Sequence, residues 1–336
     1  MEIIYSNNKM FETWWSRIIQ NDILQYPLYS KLEISYQKLY NENYQFEDLS
    51  FIIIENKQPI VGLIVSKHIN NDNICEFTGF GRPVYYIENK KIENTLLNGA
   101  RKKIKKVISG YFSECKSFKL SYTDFLNNNK LSFLGDFLLA EGAHQVPSFS
   151  QIISLNQNET LLHQGLRKRY RSFINWGKNN LKIKILNSEN IAEKDIEMFR
   201  SLHIQEAGRE TRSRYSWLKQ FEMVKERQAF IVFGFWENDL VTAAFFSFSK
   251  KSCYYGVGAS IRAMFDKPLS HIILWNTILY AKKLGCEYFE IGEILFPKIN
   301  PLPPTSKELG ISTFKRGFGG ETNIRLNIEL EITKTL

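Results

Sequence analysis

The segment Gly310-Ile311-Ser312-Thr313-Phe314-Lys315-Arg316-Gly317-Phe318-Gly319-Gly320 ends with three glycines, two phenylalanines and two adjacent cations in seven residues. Glycine allows a backbone to approach a ligand closely and to adopt positive φ. Two cations beside such a backbone suit an anionic ligand or a negative charge that develops during a reaction. The same residues also fit a turn before a final strand, with Phe314 and Phe318 buried. The surrounding sequence has to decide between these two interpretations.

The composition is that of a folded protein. The chain has 336 residues, 43% of them hydrophobic and 14% aromatic, which argues against disorder and allows about two domains. No apolar run approaches the roughly 20 residues that span a bilayer, and no signal peptide is visible, so we expect a cytoplasmic protein. The four cysteines and five histidines show no ligand spacing, and we predict no metal site.

The net charge of +9 suits an anionic ligand. A nucleotide-sugar, a CoA, an RNA and an anionic membrane surface all fit such a charge. A basic surface that only keeps the protein soluble fits it as well. The charge therefore restricts the partner without identifying it.

One order of predicted elements occurs twice. Each copy has a hairpin around a Glu-Asn turn (Glu55-Asn56 and Glu237-Asn238), then a strand ending in Gly-x-Gly, a long helix and a short strand. The Gly-x-Gly pairs are Gly79-x-Gly81 and Gly256-x-Gly258. We infer a tandem duplication of one α/β unit of about 150 residues. The predicted domains are residues 1–155 and 156–336.

A basic segment, residues 161–182, lies between the two copies and is predicted to form one helix. Its apolar positions keep helical spacing, and no acidic residue occurs in it. The cations Arg167, Lys168, Arg169, Arg171 and Lys178 lie off the apolar stripe. Such a face fits a polyanion or nucleotide phosphates, and a solvated connecting helix explains it equally well.

Four motifs carry a resemblance to a known family. They are the Leu166–Lys178 helix, the Pro268-Leu269-Ser270 entry to an apolar helix, the strand Phe289-Glu290-Ile291-Gly292, and the opening glycine segment. Together they resemble the Fem-type transferases, which include the peptidoglycan-bridge aminoacyltransferases, and the BioF2/CelD-like acetyltransferase domains. The resemblance covers roughly residues 160–325.

The resemblance implies an α/β (α+β) fold of two tandem GNAT-like acyltransferase domains, each a mixed, mostly antiparallel sheet flanked by helices. It implies that the C-terminal domain carries most of the active site. It also implies that the lysine of the glycine segment, Lys315, contacts the reacting carbonyl or the donor.

The chain departs from the usual acyl-CoA pattern. No Arg/Gln-x-x-Gly-x-Gly/Ala pyrophosphate loop precedes the helix at Ser270, where residues 258–267 read Gly-Ala-Ser-Ile-Arg-Ala-Met-Phe-Asp-Lys. This departure and the basic segment favour an aminoacyl-tRNA donor. The moderate charge and the absence of a coiled-coil arm favour an acyl-CoA donor, so both remain open.

Acyl transfer to an amine requires a donor to the oxyanion and a group that takes the amine proton. We assign Lys315 as the donor to the oxyanion, because it lies in a predicted loop that glycines allow to approach the substrate. Glu290 and Glu293 are candidates for the base or for holding the amine, although a salt bridge to Lys315 or Arg316 also explains them. In an extended segment adjacent side chains point opposite ways, which leaves Arg316 as a possible phosphate contact.

Further residues are predicted to bind the two substrates. The polar loop before the second helix of the C-terminal copy offers Arg212, Arg214 and Tyr215 to phosphates or a base, and Tyr255 lies at a strand end. Arg82 is the corresponding cation of the first copy. The candidates for the donor are Arg167, Arg171 and Ser270, the last also a predicted helix N-cap.

The sequence thus predicts an N-acyltransferase that acts on an amine of a nucleotide- or lipid-activated sugar or cell-envelope precursor. One alternative is an aminoacyl-tRNA-dependent enzyme of the peptidoglycan-bridge type, with tRNA as partner and a peripheral position at the inner membrane surface. A second alternative is a non-catalytic GNAT-fold scaffold. The oligomeric state is left open.

Overall fold

A computed structural model describes residues 1–22, 24–126, 129–298 and 303–333. The chain divides into two compact units, neither of which is continuous in sequence. The first contains Met1–Gln25, Asn41–Ser148 and Ile324–Leu336, and the second contains Tyr26–Tyr40 and Phe149–Asn323.

Within the described ranges, the N-terminal part of the chain supplies eight strands and four helices. In chain order these are β1 (Glu2–Tyr5), α1 (Phe11–Ile19), α2 (Lys31–Tyr40), β2 (Glu47–Asp48), β3 (Phe51–Glu55), β4 (Gln58–Ile64), β5 (Ser66–Ile69), β6 (Cys75–Thr78), β7 (Tyr85–Glu88), α3 (Asn94–Ser113), β8 (Ser117–Asp124) and α4 (Phe133–Ala140).

The remaining elements belong mainly to the second unit. They are β9 (His144–Ser154), α5 (Glu159–Gly165), α6 (Lys168–Asn180), β10 (Lys182–Leu186), α7 (Glu193–Ala207), α8 (Arg214–Lys225), β11 (Ala229–Trp236), β12 (Asp239–Phe248), β13 (Ser252–Ser260), α9 (Leu269–Lys283), β14 (Tyr288–Glu293), α10 (Ser306–Arg316) and β15 (Glu321–Thr333).

The first unit is built around the predicted hairpin, β3 and β4. Its strands follow the orders β1-β3-β4-β7 and β15-β8-β6-β5-β2. Pairing is antiparallel except between β6 and β8 and at the bridge Val84–Tyr122. Helix α3 buries Leu97, Ala100 and Ile104 against these strands, as helical spacing of its apolar residues predicts.

The position of strand β7 changes which strands of the two copies correspond to each other. It pairs antiparallel with the second hairpin strand and precedes the long helix α3, which is the position that β13 holds in the second unit. Gly79 and Gly81 lie before β7, in a tight turn closed by the Gly79 N–H and the Arg82 carbonyl oxygen (2.6 Å). The predicted equivalence of Gly79-x-Gly81 with Gly256-x-Gly258 is therefore wrong.

The second unit contains a six-stranded sheet in the order β10-β11-β12-β13-β14-β9. All neighbours are antiparallel except β13 and β14. Helices α6 and α9 cover one face, where Phe230, Val232 and Phe246 are buried. Helices α7 and α8 cover the other face, with Phe233, Phe245 and Trp217. The predicted mixed, mostly antiparallel sheets flanked by helices are thus confirmed.

Two segments lie in a unit other than the one expected from contiguous halves. Helix α2 packs with α8, and its Tyr36 joins the core on the α7–α8 face of the second unit. Most of β15 pairs with β8 of the first unit, from Leu326–Asp124 to Thr333–Ser117. Pairing and side-chain packing group these segments, so the units do not follow sequence order.

The basic segment 161–182 forms two helices, not one. Helix α5 ends at Gly165 and α6 begins at Lys168. Leu166 and Arg167 between them have extended or non-helical backbone, with ψ of 141° and 135°. The apolar stripe nevertheless faces the core, since Leu162, Leu166 and Tyr170 are all buried.

The glycine segment is a helix followed by a tight turn. Its first half belongs to α10, which begins with a capping box of Thr305 and Glu308. The expectation that Lys315 and Arg316 lie in an extended loop is therefore wrong. They occupy the last helical turn, where successive side chains are about 100° apart.

The glycines of this segment allow close packing against three neighbours. A Cβ on Gly317 would lie 2.2 Å from the Tyr170 ring, and one on Gly320 would lie 2.3 Å from the Ile152 carbonyl oxygen. Gly319 lies against the Gly165 backbone and has φ +83°, and Gly320 has φ +75°. Packing therefore requires glycine at these positions whether or not a ligand binds.

No helix within the described ranges combines the length and the apolar character needed to cross a membrane.

Two glycines of the segment provide a matched test of this packing. We expect Gly317→Ala to destabilise the protein by about 1–3 kcal/mol, because its Cβ overlaps the Tyr170 ring. In Gly310→Ala the added Cβ meets nothing within 4 Å, so we expect the free energy of unfolding to rise by about 0.5–1 kcal/mol because alanine favours a helix more than glycine does. Thermal and urea midpoints of both variants check the prediction. Shifts of equal sign would contradict it.

Candidate active site

The sheet of the second unit opens between its two parallel strands. Strands β13 and β14 pair only from Ser252–Tyr288 to Tyr254–Glu290. Farther along, β13 continues beside β12 and β14 continues beside β9, each after a bulge. The edge of β13 that faces the opening therefore presents backbone N–H and C=O groups toward it.

Lys315 lies against β14 beyond this opening. Its Nζ donates a hydrogen bond to the Glu293 carbonyl oxygen (2.9 Å). It also lies 3.4 Å from where a Cβ of Gly292 would be, and Gly292 has φ +107°. Burial lowers the pKa of Lys315, while Glu293 and Glu290 act in the opposite direction. The lysine is thus half-buried beside the bend that the bulge produces in β14.

The two candidate carboxylates occupy different environments. Glu290 is only 4% exposed and accepts a hydrogen bond from the Ser150 hydroxyl (2.6 Å). Glu293 has an exposed side chain, and its backbone carbonyl holds Lys315. The structure therefore brings Lys315, Glu290 and Glu293 together at one end of β14. Ser150, which orients Glu290, carries no motif that would mark it in the sequence.

A cavity of about 330 Å³ lies beside the free part of β13. Strands β12 and β13, the end of α7, the start of α9 and Phe314 of α10 contribute its walls. Phe314 precedes Lys315 in the chain, so α10 connects the cavity wall to the lysine. The cavity is the size of a small ligand group with part of its carrier.

Tyr255 is one of the two predicted binding residues that line this cavity. Burial raises its pKa to about 12, and Glu206 contributes in the same direction. Its hydroxyl lies 2.2 Å from where a Cβ of Gly258 would be, so glycine at 258 is what admits the ring. Phe246 stacks on Tyr255 from the sheet, with ring centroids 5.4 Å apart.

Ser270 also lines the cavity, but it does not cap the helix. Helix α9 starts at Leu269, with Pro268 as the N-cap residue, so the predicted cap at Ser270 is wrong. The Ser270 hydroxyl lies 3.3 Å from that of Ser260, which in turn lies 2.9 Å from the Thr242 hydroxyl. This row of hydroxyl groups forms one polar side of the cavity.

His271 has an unusual environment for a titratable group. It is surrounded by the rings of Tyr170, Phe173, Phe314 and Phe318, with centroids 4.4–5.9 Å away. Burial lowers its pKa to about 4, and the nearby Arg169 adds to the effect. The histidine is therefore neutral at neutral pH and belongs to the aromatic wall of the cavity.

The remaining predicted substrate residues of the second unit lie elsewhere in it. Arg212 is buried, with its guanidinium 3.6 Å from the Trp217 ring centroid and bonded to Tyr36 and Gln220. Arg214 forms surface ion pairs with acids of α7, and Tyr215 is 69% exposed. The guanidinium of Arg316 lies 5.5 Å from the Phe296 ring centroid. Their roles in binding stay predictions.

Arg167 and Arg171 make contacts that secure the break between α5 and α6. The Arg167 N–H donates to the Gly317 carbonyl oxygen (2.9 Å), and its side chain reaches the Thr313 carbonyl. Arg171 donates to the carbonyl of Gln164 (2.7 Å) at the end of α5. Arg82 belongs to the first unit, in the turn that closes on Gly79. Binding of a donor or acceptor by these three arginines remains a prediction.

Glu206 is a cavity residue that the sequence did not single out. It is the next-to-last residue of α7, just before the C-terminal glycine Gly208, and no motif marks it. Burial raises its pKa, and the Ser260 backbone, Lys307 and Arg262 oppose the shift. Only the packing of α7 on β13 brings this carboxylate to the cavity. No group of three or more His, Cys, Asp or Glu in the described part of the chain is placed to hold a metal ion.

Comparison with known proteins identifies the fold. No family model and no curated protein matches the sequence. FemX is similar over 97% of both chains, with 13% identity and a TM-score of 0.67. A second similar structure is a tandem GNAT protein from the clavulanic acid biosynthesis pathway, solved without AcCoA. The match covers 100% of this chain and 99% of that one, with 11% identity and a TM-score of 0.54.

A third similar structure is the C-terminal domain of a putative lysylphosphatidylglycerol synthetase from Agrobacterium fabrum. The match covers 94% of this chain and 90% of that one, with 8% identity and a TM-score of 0.58. At such identities the similarity concerns the fold alone. The fold implied by the sequence resemblance, two tandem GNAT-like domains, is confirmed.

Burial of Lys315 predicts that its amine loses its proton at a lower pH than an ordinary lysine, whose pKa is 10.5. Competitive labelling with trace acetic anhydride across a pH series, read by peptide mass spectrometry, measures this midpoint. In Glu290→Gln the midpoint should fall further, because the carboxylate favours the charged lysine. A wild-type midpoint at or above 10.5, or a rise in the variant, would contradict the assignment.

Proposed function

We propose that this chain, whose fold is similar to those of FemX and of a tandem GNAT protein, is a transferase that moves an acyl or aminoacyl group to an amine. The observation that carries the proposal is the position of Lys315. Its amine is held by the Glu293 carbonyl where β13 and β14 have separated, and the preceding residue lines the cavity beside that opening. A fixed cation at such an opening suits charge that develops on a carbonyl oxygen.

The reaction joins a neutral amine to the donor carbonyl carbon. The attack forms a C–N bond and places negative charge on the carbonyl oxygen. Collapse of this intermediate breaks the bond to the leaving group, a thiolate for a thioester or an alkoxide for an ester. The amine proton passes to a base and then to the leaving group, so no other reactant is needed.

Lys315 supports the oxyanion in this scheme. An ammonium group has three donors, and within the described ranges one of them is used, on the Glu293 carbonyl oxygen. The other donors are available for a developing oxyanion. Burial strengthens such an interaction because water does not screen it.

Glu290 serves the acceptor amine in the proposal. Its carboxylate is buried and oriented by Ser150, and it belongs to the strand that Lys315 contacts. A carboxylate in this position can receive the amine proton or hold the amine for attack. Glu293 contributes its backbone carbonyl to Lys315, and its exposed side chain is the weaker candidate for the base.

The proposed donor is either an acyl-CoA or an aminoacyl-tRNA, the two classes that the sequence leaves open. The cavity beside β13 and the start of α9 suits the acyl end of either one. The description of the similar tandem GNAT protein mentions AcCoA, which supports an acyl-CoA donor. The exposed cations of α6 (Lys168, Arg169 and Lys178), in a helix without acidic residues, favour a polyanionic donor such as an aminoacyl-tRNA. The acceptor in the proposal is an amine of a nucleotide- or lipid-activated sugar or cell-envelope precursor.

Replacement of Lys315 tests the mechanism. We expect Lys315→Ala to lower kcat about 10²- to 10³-fold, the usual effect of removing one oxyanion donor, while donor binding changes little. Transfer from a panel of acyl-CoAs and aminoacyl-tRNAs to amine acceptors, followed by mass spectrometry, measures the loss. Lys315→Arg should retain part of the rate because it keeps a cation.

The matched control is Lys283→Ala, which removes an exposed lysine in the last turn of α9. It should leave the transfer rate unchanged. A Lys315→Ala enzyme as fast as wild type would refute the role of Lys315. Binding of RNA or precursor without transfer from any donor would favour the non-catalytic scaffold instead.

A further inference from the structure

The cavity beside β13 carries a carboxylate although the protein has a net charge of +9. Glu206 is the one acidic residue among those that line it in the described structure. It reaches the cavity from α7, on one face of the sheet, while Ser270 and His271 reach it from α9 on the other. Elements from both faces of the sheet thus converge on a space of about 330 Å³.

Glu206 has no fixed cation as its partner. The side chain is half-buried, and none of the ion pairs among the described residues includes it. Lys307 and Arg262 act on it only as charges. The Ser260 backbone hydrogen-bonds to this carboxylate, but a partly buried carboxylate without an ion-pair partner still costs free energy of folding, so a cationic ligand would relieve part of that cost.

The other titratable groups that line the cavity form no ion pair with Glu206 in the described structure. His271 has a pKa lowered to about 4 by burial and is neutral at neutral pH. Lys267 also lines the cavity, and its Nζ is 2.7 Å from the Asp266 carboxylate. The Tyr255 hydroxyl, with a pKa raised to about 12, also stays neutral. Glu206 is therefore the group of the described lining that offers a ligand a negative charge.

Aromatic rings complete a setting suited to a cation. Tyr255 and Phe314 contribute to the walls, and Phe265 stands 59% exposed among the lining residues. Aromatic faces attract ammonium groups. The hydroxyls of Thr242 and Ser260 supply acceptors for the remaining N–H groups.

We propose that this cavity binds a primary ammonium group of the ligand and that Glu206 is the residue that selects it. The inference deepens the proposed function, on which it rests for the identity of the ligand. Two sources carry the same chemistry: the α-amino group of an aminoacyl donor, or the amine of the acceptor before it loses its proton. A plain acetyl donor lacks such a group.

Binding of small probes tests the site without any turnover. L-Alaninamide is a cation at about pH 6.5, and N-acetyl-L-alaninamide is its neutral counterpart. The protein is labelled with ¹³C-methyl alanine, because Ala243, Ala244 and Ala259 line the cavity. We expect L-alaninamide to shift these methyl signals, with binding weakened on the order of 10- to 100-fold in Glu206→Gln.

Glu189→Gln is the control, since it removes the same charge from an exposed side chain before α7. It should bind L-alaninamide as the wild type does. The proposal is overturned if Glu206→Gln binds the cation equally well, if the neutral probe binds as tightly as the cation, or if the cation leaves the methyl signals of the wild type unchanged.

Stability separates a binding carboxylate from a structural one. Because burial raises the pKa of Glu206, its charged form lowers stability as pH rises above the unfolded pKa. Glu206→Gln should therefore be at least as stable as wild type at neutral pH. A clear drop in its thermal midpoint would show that Glu206 holds the fold together, which contradicts a role reserved for ligand.

Turnover then distinguishes the two sources. If the donor supplies the ammonium group, wild type should discriminate aminoacyl-tRNA from N-acetylaminoacyl-tRNA in kcat/KM, and Glu206→Gln should lose that discrimination. If the acceptor supplies it, the variant should raise the KM for the acceptor only. Cation binding without transfer from any donor would refute the proposed function while leaving the ammonium site standing.

Discussion

The second unit depends on a contact that only glycine permits. Residues 317–320 turn directly after α10, and side chains at 317 and 320 would overlap Tyr170 and the Ile152 carbonyl oxygen. The Arg167 N–H, just before α6, donates a hydrogen bond to the Gly317 carbonyl oxygen. The Gln151 side chain, in β9, donates one to the Gly319 carbonyl oxygen (2.6 Å). The turn is thereby fixed to α6 and to β9 at once. Since α10 ends at this turn, the contact also determines where Lys315 lies.

The same packing explains how a lysine is kept half-buried. Ser312 of α10 accepts a hydrogen bond from the Leu295 N–H (2.9 Å), which ties the helix to the segment after β14. The bulge in β14 and the positive φ of Gly292 turn the Glu293 carbonyl toward the lysine amine. A buried cation costs free energy unless it has partners, and here a backbone carbonyl provides one. Helix end and strand bend therefore have to form together.

Sequence patterns predicted the elements that depend on local periodicity. The hairpins β3–β4 and β11–β12, and the long helices α3 and α9, follow from alternating or helical apolar spacing. The resemblance in the last third of the chain predicted Lys315 and the strand with Glu290. Strand β7 was missed because its four residues are too few for periodicity. The glycines of the segment from Gly310 predict a turn, because glycine lowers helix propensity, although the Thr305–Glu308 capping box starts a helix there.

Residues that act through tertiary packing leave no pattern to find. Glu206 ends an ordinary helix, and Ser150 lies in a strand far from Glu290 in sequence, yet folding brings each to the opening between β13 and β14.

The glycine segment fits either a turn or an anion site when only the sequence is considered. In the structure it combines a tightly packed turn with a half-buried lysine. Glycines 317, 319 and 320 are required by packing against Tyr170, Gly165 and β9, so they say nothing about a ligand. Lys315 is not required by that packing, because its amine extends to the backbone of β14. Lys315 joins the end of α10 to β14 through its amine, and the proposed reaction gives the same half-buried cation a second role. The glycines are the structural part of the motif, and the lysine is the part on which a reaction would depend.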